Sequence, residues 1–459
     1  MRDAAILFSI GFAARVVFIH LYPQVFGGDS VLRLMNRDHI LLSYQLPLLQ
    51  AIVYTMTKAG GGLIAIRYVM ALIGALAVVS FHDWVRRLAP GGAFWAALLL
   101  ATNPFLIQLS IVPYQEVLML GLLFPAFRFF LSGNLTIASI ALGLACLTRY
   151  EAWAAVPVLV IASWRHAGFS WRPVLLFGWA PMLWLGLHLG LSPQGTFVAE
   201  LPRSFQRVLR YVYLAWIVLK NTQPPVFLLA AAGGWALVKD PDWRRSPATL
   251  WMGFAGLFLL SIPFSAHGES PDPERFITAR TASILIATLL LLATTGIRHG
   301  WGVALALAGS VWGVWMGSSF LRRDTAQPPV QLSYHLARFL DAAMGPAEHA
   351  LILTAEPSID SYLDKVRQRS GEAGVRIALE RMSRIDTSPP DFQRTVVHST
   401  LSRERFLHNR SQGTAQWVAV WGNFTPGDRH SELLATLKDA VARAVLENES
   451  LTVRVYRVP

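Results

Sequence analysis

The sequence predicts a polytopic α-helical membrane protein of about eleven transmembrane helices, followed by a C-terminal extracytoplasmic α/β domain. Three observations carry that prediction. The 459 residues are 54% hydrophobic and only 15% charged, with a mean hydropathy of +0.43, where a soluble domain carries roughly 25% charge. Apolar segments of about 17–25 residues, enough to cross a bilayer, recur from Ala4 to Phe320 and then stop. Beyond Arg322 the composition becomes that of a soluble domain. The chain therefore divides into a membrane part, 1–321, whose first outer loop is 22–62, and a domain, 322–459.

Spans are predicted at about 4–21, 63–85, 93–111, 114–131, 134–148, 151–164, 173–191, 222–238, 247–265, 276–296 and 301–320. With the N-terminus inside, the inner connections carry Arg86, Arg87, Arg128, Arg165, Arg172, Lys239, Arg244, Arg245 and Arg298. The positive-inside rule is met at each. The other face receives Asp29, Asp38, Glu116, Glu151, Glu200, Glu269, Asp272 and Glu274. An odd number of spans places the C-terminal domain outside as well.

Lys and Arg in 1–321 number 22 against 12 Asp and Glu, and in 322–459 they number 18 against 16. The basicity thus sits in short loops flanking apolar segments, a pattern of topology rather than of nucleic-acid binding. The single cysteine, Cys146, excludes an intrachain disulfide. No small-residue cleavage site follows the first segment, only Tyr22-Pro23-Gln24, so it reads as a retained signal anchor. The 12 histidines show no HExxH spacing, and no zinc site is expected.

Three outer connections are too long for turns. The first contains the apolar piece Ser43–Tyr54, too short to span and read as a helix lying in the interface. The second, about Leu201 to Lys220, spaces Arg203, Arg207 and Arg210 along one helical face. The third, His267 to Glu274, is polar, acidic and proline-rich. In the C-terminal part, Leu351–Leu353, Trp417–Trp421 and Leu451–Val458 read as strands. A helix capped by Asp428 is expected to bury Leu433, Leu437, Val441 and Ala444, giving a small parallel sheet. No Gly-rich phosphate loop follows any strand.

The acidic first outer loop, Gly27-Gly28-Asp29-Ser30, is followed by the proline-containing interface piece Gln45-Leu46-Pro47-Leu48-Leu49. Next come the span from Ile66-Arg67-Tyr68 to Arg86-Arg87, and Glu116 at the start of the fourth. The junction Leu147-Thr148-Arg149-Tyr150-Glu151-Ala152-Trp153 and the late loop Pro273-Glu274-Arg275-Phe276 complete the set. In this order they resemble the GT-C superfamily of membrane glycosyltransferases, and the chain is similar to bacterial protein O-mannosyltransferases and the aminoarabinose transferases of lipid A. The resemblance covers about 1–320. One departure is that Asp29 stands alone where many relatives have two neighbouring acids, which weakens a metal assignment.

The resemblance implies inverting transfer of a sugar from a polyprenyl-phosphate carrier to a protein, lipid or glycan acceptor. The site would face outward from the bacterial inner membrane. No cofactor is implied, and a divalent metal is left open. Inverting transfer needs a carboxylate to take the acceptor's proton, and Asp29 is the expected base. Glu116, the second catalytic candidate, either meets a substrate sugar or caps a helix start. Arg275, Arg280 and Arg149 are the candidate cations for the donor phosphate, where charge develops as the sugar leaves. Arginines near helix ends also snorkel to headgroups. Tyr150, Glu151, Arg33 and Glu274 are the candidate substrate-binding residues, though Arg149 and Glu151 could equally hold two helix ends together. Two other classes fit the same topology: a transporter or flippase of a lipid-linked sugar, and an outer-face glycan polymerase or ligase. The absence of inverted repeats speaks against the transporter.

Overall fold

The computed structural model describes residues 2–23, 33, 40–41, 46–191, 204–240, 246–261, 282–297, 300–325 and 328–343, and five strands between 349 and 457. The helices follow the apolar runs: α1 (Arg2–Leu21), α2 (Pro47–Lys58), α3 (Leu63–Val85), α4 (Pro90–Ala101), α5 (Pro104–Gln108), α6 (Gln115–Leu131) and α7 (Leu135–Cys146). After a 3-10 turn at Tyr150–Ala154 come α8 (Ala155–Ala167), α9 (Arg172–Leu191), α10 (Ser204–Asn221), α11 (Pro224–Lys239) and α12 (Pro247–Ser261). The last are α13 (Ala282–Gly296), α14 (Gly300–Thr325) and α15 (Pro328–Ala343). Helices α2 and α10 fall on the two short segments expected to be helical, about 43–54 and 201–220.

Among the described residues three helices are long and apolar enough to cross a membrane: Arg2–Leu21, Leu63–Val85 and Gly300–Arg322. The chain is thus a multi-pass helical membrane protein. Several other expected spans are shorter apolar helices, and one is broken. The expected span 93–111 divides into α4 and α5, because Asn103 caps the second helix by accepting from the Leu106 N–H at 3.0 Å and Pro104 has no N–H to continue the first. At 12 residues α4 rises about 18 Å, short of a hydrocarbon core of about 30 Å.

A break among apolar helices needs its polar groups met from elsewhere. Asn103 Nδ2 donates to Gln223 Oε1 (2.9 Å) and to the Asn221 carbonyl (3.2 Å), while Gln223 Nε2 donates to the Leu99 carbonyl (2.9 Å). Gly313 lies against the Thr102 carbonyl, where a side chain would collide. A second buried polar group is Arg15 in α1, fully inaccessible to solvent. It donates from Nε to Ser110 Oγ (2.6 Å) and from Nη1 to the carbonyls of Gly11 (2.8 Å) and Ala101 (3.3 Å). Gly74 makes room for it, since a Cβ there would overlap the guanidinium.

Aromatic side chains fill one region of the helical core: Phe81 and Trp84 of α3, Phe124 and Phe127 of α6, and Trp251 and Phe254 of α12, with ring centroids about 5–6 Å apart. Helices α11 and α13 touch at Gly233 and Gly296, where each backbone meets the other's carbonyls. Small residues permit that approach.

The chain forms two compact units. One comprises Met1–Ile19, Asp38–Thr55 and Arg67–Phe320, the other His20–Arg37, Met56–Ile66 and Leu321–Pro459. Pieces of the segment 22–62 therefore group with the tail. Within the second unit, β1 (His349–Thr354), β2 (Val396–His398), β3 (Ala415–Trp421), β4 (Ala444–Asn448) and β5 (Leu451–Arg457) form a sheet of order β2-β1-β3-β5-β4. Strand β1 runs parallel to β2 and β3, whereas β5 is antiparallel to both β3 and β4. The sheet is therefore mixed, not parallel as expected. Only two residues separate β4 from β5, and so short a link joins antiparallel strands. Ala444, expected on a helix, opens β4, and the rest of that expected helix lies outside the described residues. Phe339 of α15 packs edge-on against buried Trp417 of β3 at 6.1 Å.

Candidate active site

Helix α6 begins at a proline-tyrosine turn. Tyr114 is its N-cap, in extended conformation and without a side-chain capping bond, so the first turn needs other support. Glu116 sits in that turn, where a carboxylate suits the helix dipole. It is 1% exposed, and burial that deep calls for a cation.

That cation comes from the break between α7 and α8. Helix α7 ends at Cys146, Thr148 Oγ1 turns back to the Leu144 carbonyl at 2.9 Å, and Arg149 is extended with φ −149° and ψ 144°. The extended residue throws its guanidinium across to α6. Arg149 Nη1 donates to Glu116 Oε1, while Nε (2.9 Å) and Nη2 grip the two oxygens of Glu151 in a fork. Fork geometry is what a guanidinium offers and an ammonium lacks. One arginine thereby joins two carboxylates from different helix ends.

Helix α2 closes the same corner. The Leu48 N–H donates to the Leu147 carbonyl at 3.0 Å. Leu49 packs with Met70 and Leu118 in one buried cluster, edged by Leu48, Ile52, Ile73 and Leu122. Leu118 lies two residues from Glu116 and Leu147 two from Arg149, so this packing fixes both ends of the ion pair. Arg67 of α3, also buried, donates from Nε to the Ile111 carbonyl (2.8 Å), just before the turn that starts α6.

Aromatic rings line the 3-10 turn. Tyr150 and Trp153 pack edge to face at 5.2 Å. Trp153 Nε1 donates to the Cys146 carbonyl (3.0 Å), and Trp184 Nε1 of α9 donates to the Tyr150 hydroxyl (3.2 Å). Burial raises the Tyr150 phenol above its ordinary value, the Trp184 hydrogen bond opposing in part, so the hydroxyl is neutral at physiological pH.

Of the residues expected from sequence, Glu116, Arg149, Tyr150 and Glu151 come together here. Arg33 is buried in the second unit at 1% exposure. Asp29, Glu274, Arg275 and Arg280 lie outside the described residues. Among the described residues no three His, Cys, Asp or Glu side chains converge as a metal site would require. Sequence reasoning did not single out Trp184, one more aromatic in an apolar helix, or Trp153 and Arg67, both in motifs read for other residues. An arginine four residues into an apolar helix was a usable signal for Arg67.

No family model matches the chain, and no curated protein does. Among solved structures it is similar to ArnT from Cupriavidus metallidurans bound to undecaprenyl phosphate, with a TM-score of 0.58 and 14% identity over 99% of this chain and 97% of that one. At that identity the similarity is one of fold: over nearly its whole length this chain has an ArnT-like fold, in keeping with the fold that the resemblance drawn from sequence implies.

Proposed function

We propose that the chain transfers a sugar from a polyprenyl-phosphate carrier to an acceptor on the extracytoplasmic face of the bacterial inner membrane, with inversion at the anomeric carbon. The observation that carries this reading is the buried Glu116–Arg149–Glu151 constellation at a helix break, on a fold similar to that of a protein solved bound to undecaprenyl phosphate. Ionisable groups are kept among membrane helices where they are used.

In the proposed reaction Asp29 takes the proton of the acceptor hydroxyl as its oxygen attacks the anomeric carbon. The bond from that carbon to the phosphate oxygen breaks, and the electron pair leaves on the carrier phosphate. Arg275 and Arg280 meet the growing charge. Arg149 orients Glu116 and Glu151, which accept hydrogen bonds from substrate hydroxyls, and Arg33 and Glu274 are further substrate-binding candidates. Incubating the purified protein with an undecaprenyl-phosphate-linked hexose and membrane acceptors should release bare undecaprenyl phosphate. A transporter would return the conjugate intact, and that result would overturn the proposal.

Two expectations follow. Arg275→Ala should remove a charge-assisted contact of about 1.5–3 kcal/mol, divided between donor affinity and turnover because charge grows as the sugar departs. Arg275→Lys should recover only part of it, lacking the fork. If Arg275 merely reaches lipid headgroups, Lys restores everything and the donor KM stays put. We expect the larger effect at Arg275, next to Phe276 in the outer loop, than at Arg280, about one helical turn further on. Orientation is tested separately. Cysteines placed near Ser270 and in 325–459 should react with an impermeant maleimide on whole cells, whereas cysteines replacing Arg86 or Arg244 should not; the reverse pattern would invert the protein.

A further inference from the structure

The aromatic rings around the 3-10 turn do something that membrane-interface aromatics ordinarily do not. An interfacial tryptophan keeps its N–H at the water and its ring in lipid. Here both N–H groups are spent inside the protein: Trp153 on the Cys146 carbonyl at 3.0 Å and Trp184 on the Tyr150 hydroxyl at 3.2 Å. The bonds fix ring orientation, and Trp153, the partly exposed one of the two, has ring surface to offer. Trp184 is buried, whereas Tyr150 and Trp153 are partly exposed, as is Glu151 between them in sequence.

Glu151 is held in the Arg149 fork, with Glu116 on the same guanidinium. Each carboxylate oxygen has two lone pairs, so an oxygen that accepts one N–H can accept a second donor. A fixed aromatic pair flanking one oriented, partly exposed carboxylate in the chain matches a ligand with apolar C–H faces and hydroxyl donors on its rim. A sugar ring has that chemistry, and a lipid chain or phosphate has only one half of it.

We propose that Trp153, with Tyr150 fixed against it by Trp184, is a stacking surface for the ring of the transferred sugar, whose hydroxyls donate to Glu151. This rests on the carrier-linked reading above and adds the part of the substrate recognised at this corner. The test compares binding of bare undecaprenyl phosphate with binding of the same lipid bearing mannose, glucose or N-acetylglucosamine, to the purified full chain in detergent. The ratio of the two affinities isolates the sugar. Trp153→Leu should leave the bare lipid unchanged and reduce the sugar's contribution about tenfold, the scale of a specific aromatic contact. Trp153→Phe, which keeps a ring and loses the N–H, should retain most of it. Trp184→Phe should lower it in part, through Tyr150.

The outcomes separate cleanly. If neither lipid binds the parent protein, the carrier reading fails and this one with it. If the bare lipid binds and no conjugate binds more tightly, the carrier reading stands and the sugar surface is lost. If Trp153→Leu weakens both lipids equally, the ring is helix packing, and the proposal is overturned. A free methyl hexoside that shows the same Trp153 dependence would place the acceptor's sugar here instead of the donor's, overturning the assignment to the transferred ring.

Discussion

Asp29→Asn is expected to yield a folded, membrane-inserted protein whose sugar transfer is slower by about 10²-fold or more, the usual scale for losing a general base. The side chain keeps its shape, so the loss isolates the proton. An amide nitrogen already carries its hydrogens and the amide oxygen is too weakly basic to take the acceptor's proton. Affinity for undecaprenyl phosphate should hold or rise, because the change removes a negative charge near a phosphate anion. That sign separates a lost base from a misfolded loop, in which both quantities would fall. Turnover of the purified variant close to the parent's would remove Asp29 from the mechanism and leave Glu116 and Glu151 as the acids to examine.

What could be read in the sequence depended on how local its cause was. The apolar runs gave away the helices, and Pro104 marks a place where one cannot continue. What makes that break tolerable is Gln223, 120 residues from Asn103, and no local pattern announces such a partner. The same division holds at the site. Arg149 and Glu151 stood out as ionisable residues in an apolar stretch, and their fork spans two residues. The link from Arg149 to Glu116 crosses 33 residues and depends on where α6 and α7 come to lie. In the second unit, β3 and β5 are runs rich in β-branched and aromatic residues, and β1 is a short aliphatic run. Strand β4, Ala-Val-Leu-Glu-Asn, continues the spacing of the helix expected before it. Pairing with β5 decides its conformation, as tertiary context commonly does for short strands.

The second large effect is expected at Arg149. Arg149→Met keeps much of the side chain's length and removes the guanidinium, leaving Glu116 and Glu151 facing one another with side chains 1% and 18% exposed. Breaking a buried pair from one side costs about 3–5 kcal/mol, because the remaining charge stays desolvated. Thermal unfolding in detergent should show a fall of that order. Adding Glu116→Gln should return a substantial part of the loss, since the most buried charge is then gone. Arg149→Lys should fall between, serving one carboxylate as a point charge without the fork. Arg149 as a donor-phosphate ligand makes the opposite forecast. Stability would then change little in Arg149→Met, undecaprenyl phosphate binding would weaken, and Glu116→Gln would rescue neither. The triad instead predicts that stability moves with the charge left behind, and that the double variant is more stable than Arg149→Met alone. A double variant no more stable than the single would show that Arg149 does not serve to neutralise Glu116.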